Sequence, residues 1–364
     1  MNLALIGCGA IARLHAQRLL ADPRARIVDL CDLDLAATRQ LRDELTLDAR
    51  VFSDLPGMLG SCVLDAVVIC TPTLLHFDQV LTCRQRGLHV LCEKPLADTR
   101  ERIVQLIELS RACGPVLSVS YQRRYDAIYR TMRREVQSGR WGPVQSVTTH
   151  SAERWQQTIA GTWRDDPQVN PGGFLGDAGS HKIDMLFFVT GLAPVEVFAH
   201  SQRRGSRVEI VTTVSGLLTR VSHQPGTAPT QPPHKPDAPA KEIAARPSLA
   251  RQACVVGEKC GLTDGVALSM NFIGNAQHWR EDFHVHCADA DLVIREGAMW
   301  IARNNLFEKF EDLEPASSPD IAFLDVITKG APNEAPPDCA LPVFDFTQAV
   351  LESARTRKIV QLNP

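Results

Sequence analysis

The chain has 364 residues, with 44% hydrophobic and 22% charged residues and a formal net charge of −3. That length is more than one hydrophobic core usually serves and points to two domains. The near-neutral charge argues against a nucleic-acid or acidic-membrane partner. No eighteen apolar residues run together, so no membrane-spanning helix is expected. The apolar opening Met1-Asn2-Leu3-Ala4-Leu5-Ile6 is short and lacks a basic flank, and it reads as a strand rather than a targeting segment. Eleven cysteines are scattered along the chain, several inside apolar runs such as Val67-Val68-Ile69-Cys70. They read as buried free thiols in a reducing, cytoplasmic setting. Neither Cys254 with Cys260 nor His284-Val285-His286-Cys287 has a matching second pair at structural-zinc spacing, so no metal site is expected.

Residues 1–121 alternate strand-like and helix-like segments. Strands are expected at 3–6, 26–31, 65–70, 89–92 and 116–120, with helices at 10–21, 35–45, 76–86 and 99–112 between them. The run 65–70 is almost wholly apolar, as in a strand buried on both faces. Repeated β-α-β predicts a doubly wound parallel sheet of Rossmann type. After Tyr121 the pattern changes. A helix at 126–137 leads into a strand at 144–150, and a second helix is expected at 178–189. Alternating segments then follow at 195–200, 207–214, 266–272, 282–287 and 292–295, and a last helix at 344–356. Strands without intervening helices predict an open, mainly antiparallel sheet in an α+β domain spanning 122–364. A proline-rich insertion at about 222–253 has few large apolar residues and is expected to be a flexible surface segment or a partner-binding one.

Three motifs carry chemistry. Gly7-Cys8-Gly9-Ala10-Ile11-Ala12 follows a strand and opens a helix, matching the dinucleotide fingerprint. Gly7 allows the tight turn, Gly9 lets a pyrophosphate approach the backbone, and Ala12 keeps helix and strand close. Asp32, at the end of the second strand, is placed to bind ribose hydroxyls and to repel a 2′-phosphate. It favours NAD, while Arg39 nearby keeps NADP open. Glu93-Lys94-Pro95 ends one expected strand, and Thr71-Pro72-Thr73 with His76 ends another. Both lie at the carboxyl edge of the sheet, where such folds bind ligands. In the third motif, Gly172-Gly173-Phe174-Leu175-Gly176-Asp177-Ala178-Gly179-Ser180-His181-Lys182-Ile183-Asp184, a helix would put Asp177, His181 and Asp184 on one stripe. Read alone, Asp177 is equally a helix cap and His181 a satisfied core residue.

Together these motifs resemble the Gfo/Idh/MocA family of NAD(P)-dependent oxidoreductases, the glucose–fructose oxidoreductase and inositol dehydrogenase group. Ser120-Tyr121-Gln122-Arg123-Arg124-Tyr125-Asp126 and Trp163-Arg164 add to the resemblance. It implies catalytic roles for Lys94, Asp177 and His181. It implies cofactor contacts at Gly7, Gly9, Ala10, Ile11, Asp32, Thr71, Pro72, His76, Glu93, Lys94, Gln122, Trp163 and Arg164, and a cis Lys94–Pro95 peptide. Arg123, Arg124 and Asp184 are candidates for substrate hydroxyl contacts. The resemblance further implies a sugar, inositol or related polyol as substrate and a homodimer or homotetramer built on the second sheet. A non-catalytic nucleotide-sensing regulator, or a lyase or glycosidase using NAD with no net redox, are the alternatives on this fold. A bare interaction scaffold would lack the cofactor altogether. The proline-rich insertion departs from the family pattern.

Overall fold

The computed structural model describes residues 1–61, 63–112, 114–220 and 265–363. The first sheet has six strands: β1 (Asn2–Ile6), β2 (Arg26–Cys31), β3 (Arg50–Phe52), β4 (Ala66–Ile69), β5 (His89–Cys92) and β6 (Leu117–Val119). Helices α1 (Ala10–Leu20), α2 (Leu35–Glu44), α3 (Leu55–Leu59), α4 (Thr73–Gln85) and α5 (Arg100–Arg111) connect them. All pairings are parallel, in the order β3-β2-β1-β4-β5-β6. This is the doubly wound Rossmann order, whose crevice lies where β1 and β4 diverge. β1 and β4 are buried along their length because helices cover both faces. The short β3 and α3 had no expected counterpart, since three and five residues carry no readable period.

Beyond a 3₁₀ turn at Gln122–Tyr125, the chain forms α6 (Ala127–Gln137), β7 (Val144–Ala152), α7 (Trp155–Ile159), α8 (Gly173–Gly176) and α9 (Ser180–Thr190). Strands β8 (Leu192–Gln202), β9 (Val211–Arg220), β10 (Val266–Ile273), β11 (Arg280–Cys287), β12 (Asp291–Arg295), β13 (Ala298–Arg303) and β14 (Leu306–Lys309) follow. Then come α10 (Pro319–Lys329), α11 (Ala340–Thr356) and β15 (Val360–Gln361). Among the described residues the second sheet runs β14-β13-β12-β11-β7-β10-β9-β8-β15, antiparallel except for the β7–β10 pair. Burial alternates along β10, as period-two patterning requires of a sheet covered on one face. Helix α11 packs on this sheet and against α9, with Phe346 edge-on to Phe187.

Several expected boundaries move: the helices read at 76–86 and 344–356 begin at Thr73 and Ala340, and the strand read at 195–200 begins at Leu192. The strand read at 207–214 is β9, starting at Val211; Val208 and Ile210 are buried in the loop before it. The helix read at 178–189 starts at Ser180, which leaves Asp177 outside it with ψ −84. The proline-rich insertion at about 222–253, and Cys254 and Cys260 beyond it, lie outside the described residues. The strands bracketing that stretch, β9 and β10, pair antiparallel. Helix α10 returns to the first sheet, where Phe323 and Leu324 join Leu3, Leu5, Ala12, Ala16 and Leu19 in one apolar cluster. The seven described cysteines are free, and burial pushes the Cys31 thiol up to about 11 and the Cys8 thiol up to about 12. Among the described residues no helix is long and apolar enough to cross a membrane, and no His, Cys, Asp or Glu cluster is arranged to hold a metal.

Candidate active site

The ends of β1, β2, β4 and β5 open onto one cavity of about 690 Å³, whose far wall comes from Trp163, Arg164, Asp177 and His181, beyond the first sheet. Gly7 sits at φ +87, and a Cβ there would meet the backbone of Cys70 and Thr71 at 2.8 Å. Only glycine fits that crossing. Gly9, which precedes α1, has open space where its Cβ would be, and no side chain caps the helix. The first N–H groups of α1 are therefore free beside the cavity, the arrangement that binds a pyrophosphate. Ala12 is fully buried under the strand. The Asp32 carboxylate accepts from Cys8 N at 2.7 Å and Asp34 N at 2.9 Å, which fixes it at the end of β2 on the cavity wall. Ala10, Ile11, Thr71, Pro72, Glu93 and Gln122 lie on the same wall. Arg39 is exposed on α2 and does not line it. The cradle fits a dinucleotide: a turn closed to any side chain, an uncapped helix start and a carboxylate fixed at the end of the neighbouring strand.

At the other end of the cavity, Lys94 Nζ donates to Asp177 O and Oδ1, each at 3.0 Å. Arg164 Nε donates to the second carboxylate oxygen at 2.8 Å, and its guanidinium lies 4.3 Å over the Trp163 ring. Burial alone would raise the Asp177 carboxyl; the two cations outweigh it and hold the group below its ordinary range. The turn carrying Asp177 is pinned by close backbone packing. Gly173, at φ +53, lies so near Glu209 that a Cβ would collide with its carbonyl oxygen. His181 stands in the first turn of α9, edge-on to Tyr121 at 6.3 Å, and its buried Nδ1 has no partner. Burial drives its imidazole well below the ordinary range, with Lys94, Lys182 and Arg123 adding to the effect. The ring is neutral at physiological pH and able to accept a proton.

The structure thus brings Lys94, Trp163, Arg164, Asp177 and His181 to one cavity with the glycine turn. The helical stripe expected for Asp177, His181 and Asp184 does not form, because Asp177 precedes the helix. The Lys94–Pro95 peptide is cis. Other expectations need correction. His76 is buried off the cavity wall; its ring nitrogens lie 2.7 Å from Thr71 O and from Pro95 O, and it clamps the two loops that do line the wall. Arg124 and Asp184 do not face this cavity. They form a buried ion pair, Arg124 Nη2 to Asp184 Oδ1 at 2.6 Å, that fastens the 3₁₀ turn to α9. Arg123 pairs with Glu281 and Asp126, each at 3.1 Å. Two groups escaped the sequence reading. Glu281 on β11 gathers Lys182, Tyr129 and Arg123 into a buried charged cluster beside His181. His15 on α1 bridges Asp320 Oδ1 at 2.7 Å and Glu93 Oε1 at 3.0 Å. The spacing of Ala12, His15, Ala16 and Leu19 on one helical face carried that signal.

A Rossmann sheet with this cradle, joined to a mainly antiparallel domain whose turns and α9 supply the other wall, defines a two-part nicotinamide-dinucleotide oxidoreductase. Family models agree. One described as "Oxidoreductase family, NAD-binding Rossmann fold" matches residues 1–121, and one described as "GFO/IDH/MocA C-terminal domain" matches 129–229. Together they span more than half of the chain, which belongs to the Gfo/Idh/MocA family. Inositol 2-dehydrogenase 2 of Saccharopolyspora erythraea is 32% identical over 232 residues, covering 61% of this chain and 66% of that protein. D-glucoside 3-dehydrogenase of Escherichia coli is 29% identical over 203 residues, covering 55% and 57%. The chain therefore spans about 57 to 66% of the length of these curated relatives. Scyllo-inositol dehydrogenase of Lactobacillus casei, solved with NAD(H) and scyllo-inositol, superposes with a TM-score of 0.75 at 17% identity, covering 99% of this chain and 98% of that one. At that identity the likeness shows the fold.

Proposed function

We propose that the chain is an NAD-linked dehydrogenase or reductase acting on a secondary alcohol or ketone of a sugar, inositol or related polyol. The observation that carries this reading is the convergence of Lys94, Asp177 and His181 at one end of the cavity whose other end is the glycine cradle. Bound there, a nicotinamide supplies C4 as hydride acceptor or donor. The chain's own residues supply the rest. The neutral His181 imidazole takes the proton of the substrate hydroxyl. The Lys94 ammonium lowers the energy of the developing alkoxide, which compensates for the weak basicity of a ring held among cations. Asp177, kept ionised by Lys94 and Arg164, orients the Lys94 Nζ and accepts from a second substrate hydroxyl. Asp32 selects NAD over NADP by repelling a 2′-phosphate. In the same reading the protein works in the cytoplasm as a homodimer or homotetramer assembled through the nine-stranded sheet, which light scattering of the purified protein checks.

Fluorescence titration with NADH and NADPH tests the cofactor reading. Tight NADH and weak NADPH binding is expected. The reverse preference contradicts the role of Asp32, and binding of neither contradicts the dehydrogenase reading.

A further inference from the structure

A second cavity, of about 250 Å³, adjoins the first. Thr73, Pro95, Trp163 and Asp177 line both. Its walls are mostly aliphatic and aromatic: Leu96 and Ile103 on the side of the first sheet, Val343, Phe344 and Leu351 on α11. Ala340, Val343, Phe344, Thr347, Gln348 and Leu351 follow one another at helical spacing, so a single face of α11 forms that wall. Phe344 and Leu351 pack against the core on one side and stay half-buried where they line the cavity. At the rim, Leu74 is 46% exposed and Trp163 42% exposed, although both are large apolar side chains. Single exposed apolar residues need no explanation. Two of them bordering an apolar recess beside a catalytic centre do.

The charge on the walls narrows the occupant. Among the described residues the only charged side chains lining this cavity are Asp98 and Asp177, both carboxylates. Asp98 is paired with Arg102 at 2.9 Å, and Asp177 with Lys94 and Arg164. No cation on the wall receives a phosphate or carboxylate, and the two acids repel one. The recess suits an uncharged, apolar group.

We propose that this cavity is a subsite for an alkyl or aryl substituent on a sugar whose ring lies against Lys94, Asp177 and His181, so that the substrate class is an apolar glycoside. The inference rests on the dehydrogenase reading above for the position of the ring. Because Asp177 and Trp163 separate ring and tail sites, the tail touches none of the reacting atoms. Its binding energy is the same before and during reaction, so it lowers KM and leaves kcat unchanged.

The test uses the NADH-loaded protein, titrated calorimetrically with methyl, butyl and hexyl β-D-glucoside, and the same compounds offered with NAD⁺ for turnover. Kd and KM are expected to fall by roughly two- to fourfold for each methylene buried, with kcat flat. Gln348, exposed on the cavity wall, can be enlarged without disturbing the core. Gln348→Trp is expected to erase the dependence on chain length, and Leu74→Ser to weaken it. Equal Kd for methyl and hexyl glucoside, or a chain-length gain that survives Gln348→Trp, overturns the subsite whether or not turnover is seen. A chain-length gain lost in Gln348→Trp, with no NAD⁺ reduction by the glucosides or by a wider panel of inositols and free sugars, keeps the subsite and overturns the dehydrogenase reading instead.

Discussion

Lys94 Nζ reaches both the backbone oxygen and the carboxylate of Asp177, each at 3.0 Å, and so ties the end of β5 to the turn that starts α9. One side chain thereby joins the cofactor half of the cavity to its second wall. On the proposed mechanism, Lys94→Met removes the donor to the developing alkoxide. We expect kcat to fall about 10²- to 10³-fold, with NADH affinity nearly unchanged because the glycine cradle is untouched. Steady-state kinetics beside a fluorescence titration separate the two, and near-normal turnover would sink the role given to Lys94.

His181→Asn is expected to lower kcat by about 10²- to 10⁴-fold, the usual range for loss of a general base. The pH profile carries a sign. The imidazole is held well below its ordinary range, chiefly by burial, so the proton-accepting form persists down to acid pH. kcat/KM of the native protein should therefore show no acid limb near the ordinary histidine value of about 6.5. A limb at that pH that disappears in His181→Asn would keep the base role and contradict the lowered imidazole, whereas turnover undiminished in His181→Asn would contradict the base role itself.

Asp32→Ala removes the acceptor of the Cys8 N–H in the glycine turn together with the charge proposed to face the adenosine ribose, so the ratio of the two affinities, rather than either alone, reads the selector role. The NADPH-to-NADH affinity ratio is expected to rise by at least about tenfold, on the scale of one unit charge removed from a neighbouring phosphate. An unchanged ratio would move the selecting residue elsewhere.

His15 connects α1, α10 and the Glu93 carboxylate. Burial opposes its charge, but the bonds to Asp320 and Glu93 outweigh burial and raise the imidazole to about 9. A raised value means that the charged ring stabilises the fold. The contribution is complete below about pH 6.5, declines as pH rises, and is gone above about 9. The gap in unfolding free energy between the native protein and His15→Gln should shrink by about 3 kcal/mol from about pH 6 to about pH 9.5. Denaturant melts at the two pH values read it, and a gap independent of pH would count against an imidazolium.

The first sheet was legible because long apolar strands alternate with amphipathic helices, and because Gly7-Cys8-Gly9 fits its turn for reasons local to the chain. Lys94, Asp177 and His181 were found by motif, but their meeting is a long-range event that no spacing encodes. Arg124 and Asp184 were misread for the same reason: a charged side chain beside a motif can face a ligand or another charge, and only the fold decides. His76 was misplaced because its partners are backbone oxygens, which leave no trace in sequence. His15 was legible as a buried position and illegible as a bridge, since Asp320 lies on a helix from the far end of the chain. Asp177 lies off the helix in a turn where Gly179 packs close on the Leu175 backbone, while α8 before it is held against Glu209 from a distant loop.

The central claim is that this cavity oxidises or reduces a polyol carbon with NAD. The most direct measurement incubates the purified protein with NAD⁺ and a panel of inositols, free sugars and glycosides, following formation of reduced dinucleotide in the native protein and in Lys94→Met. The account predicts reduction with at least one polyol and its loss in the variant. NADH bound tightly, with no dinucleotide reduced by any member of the panel, would contradict it.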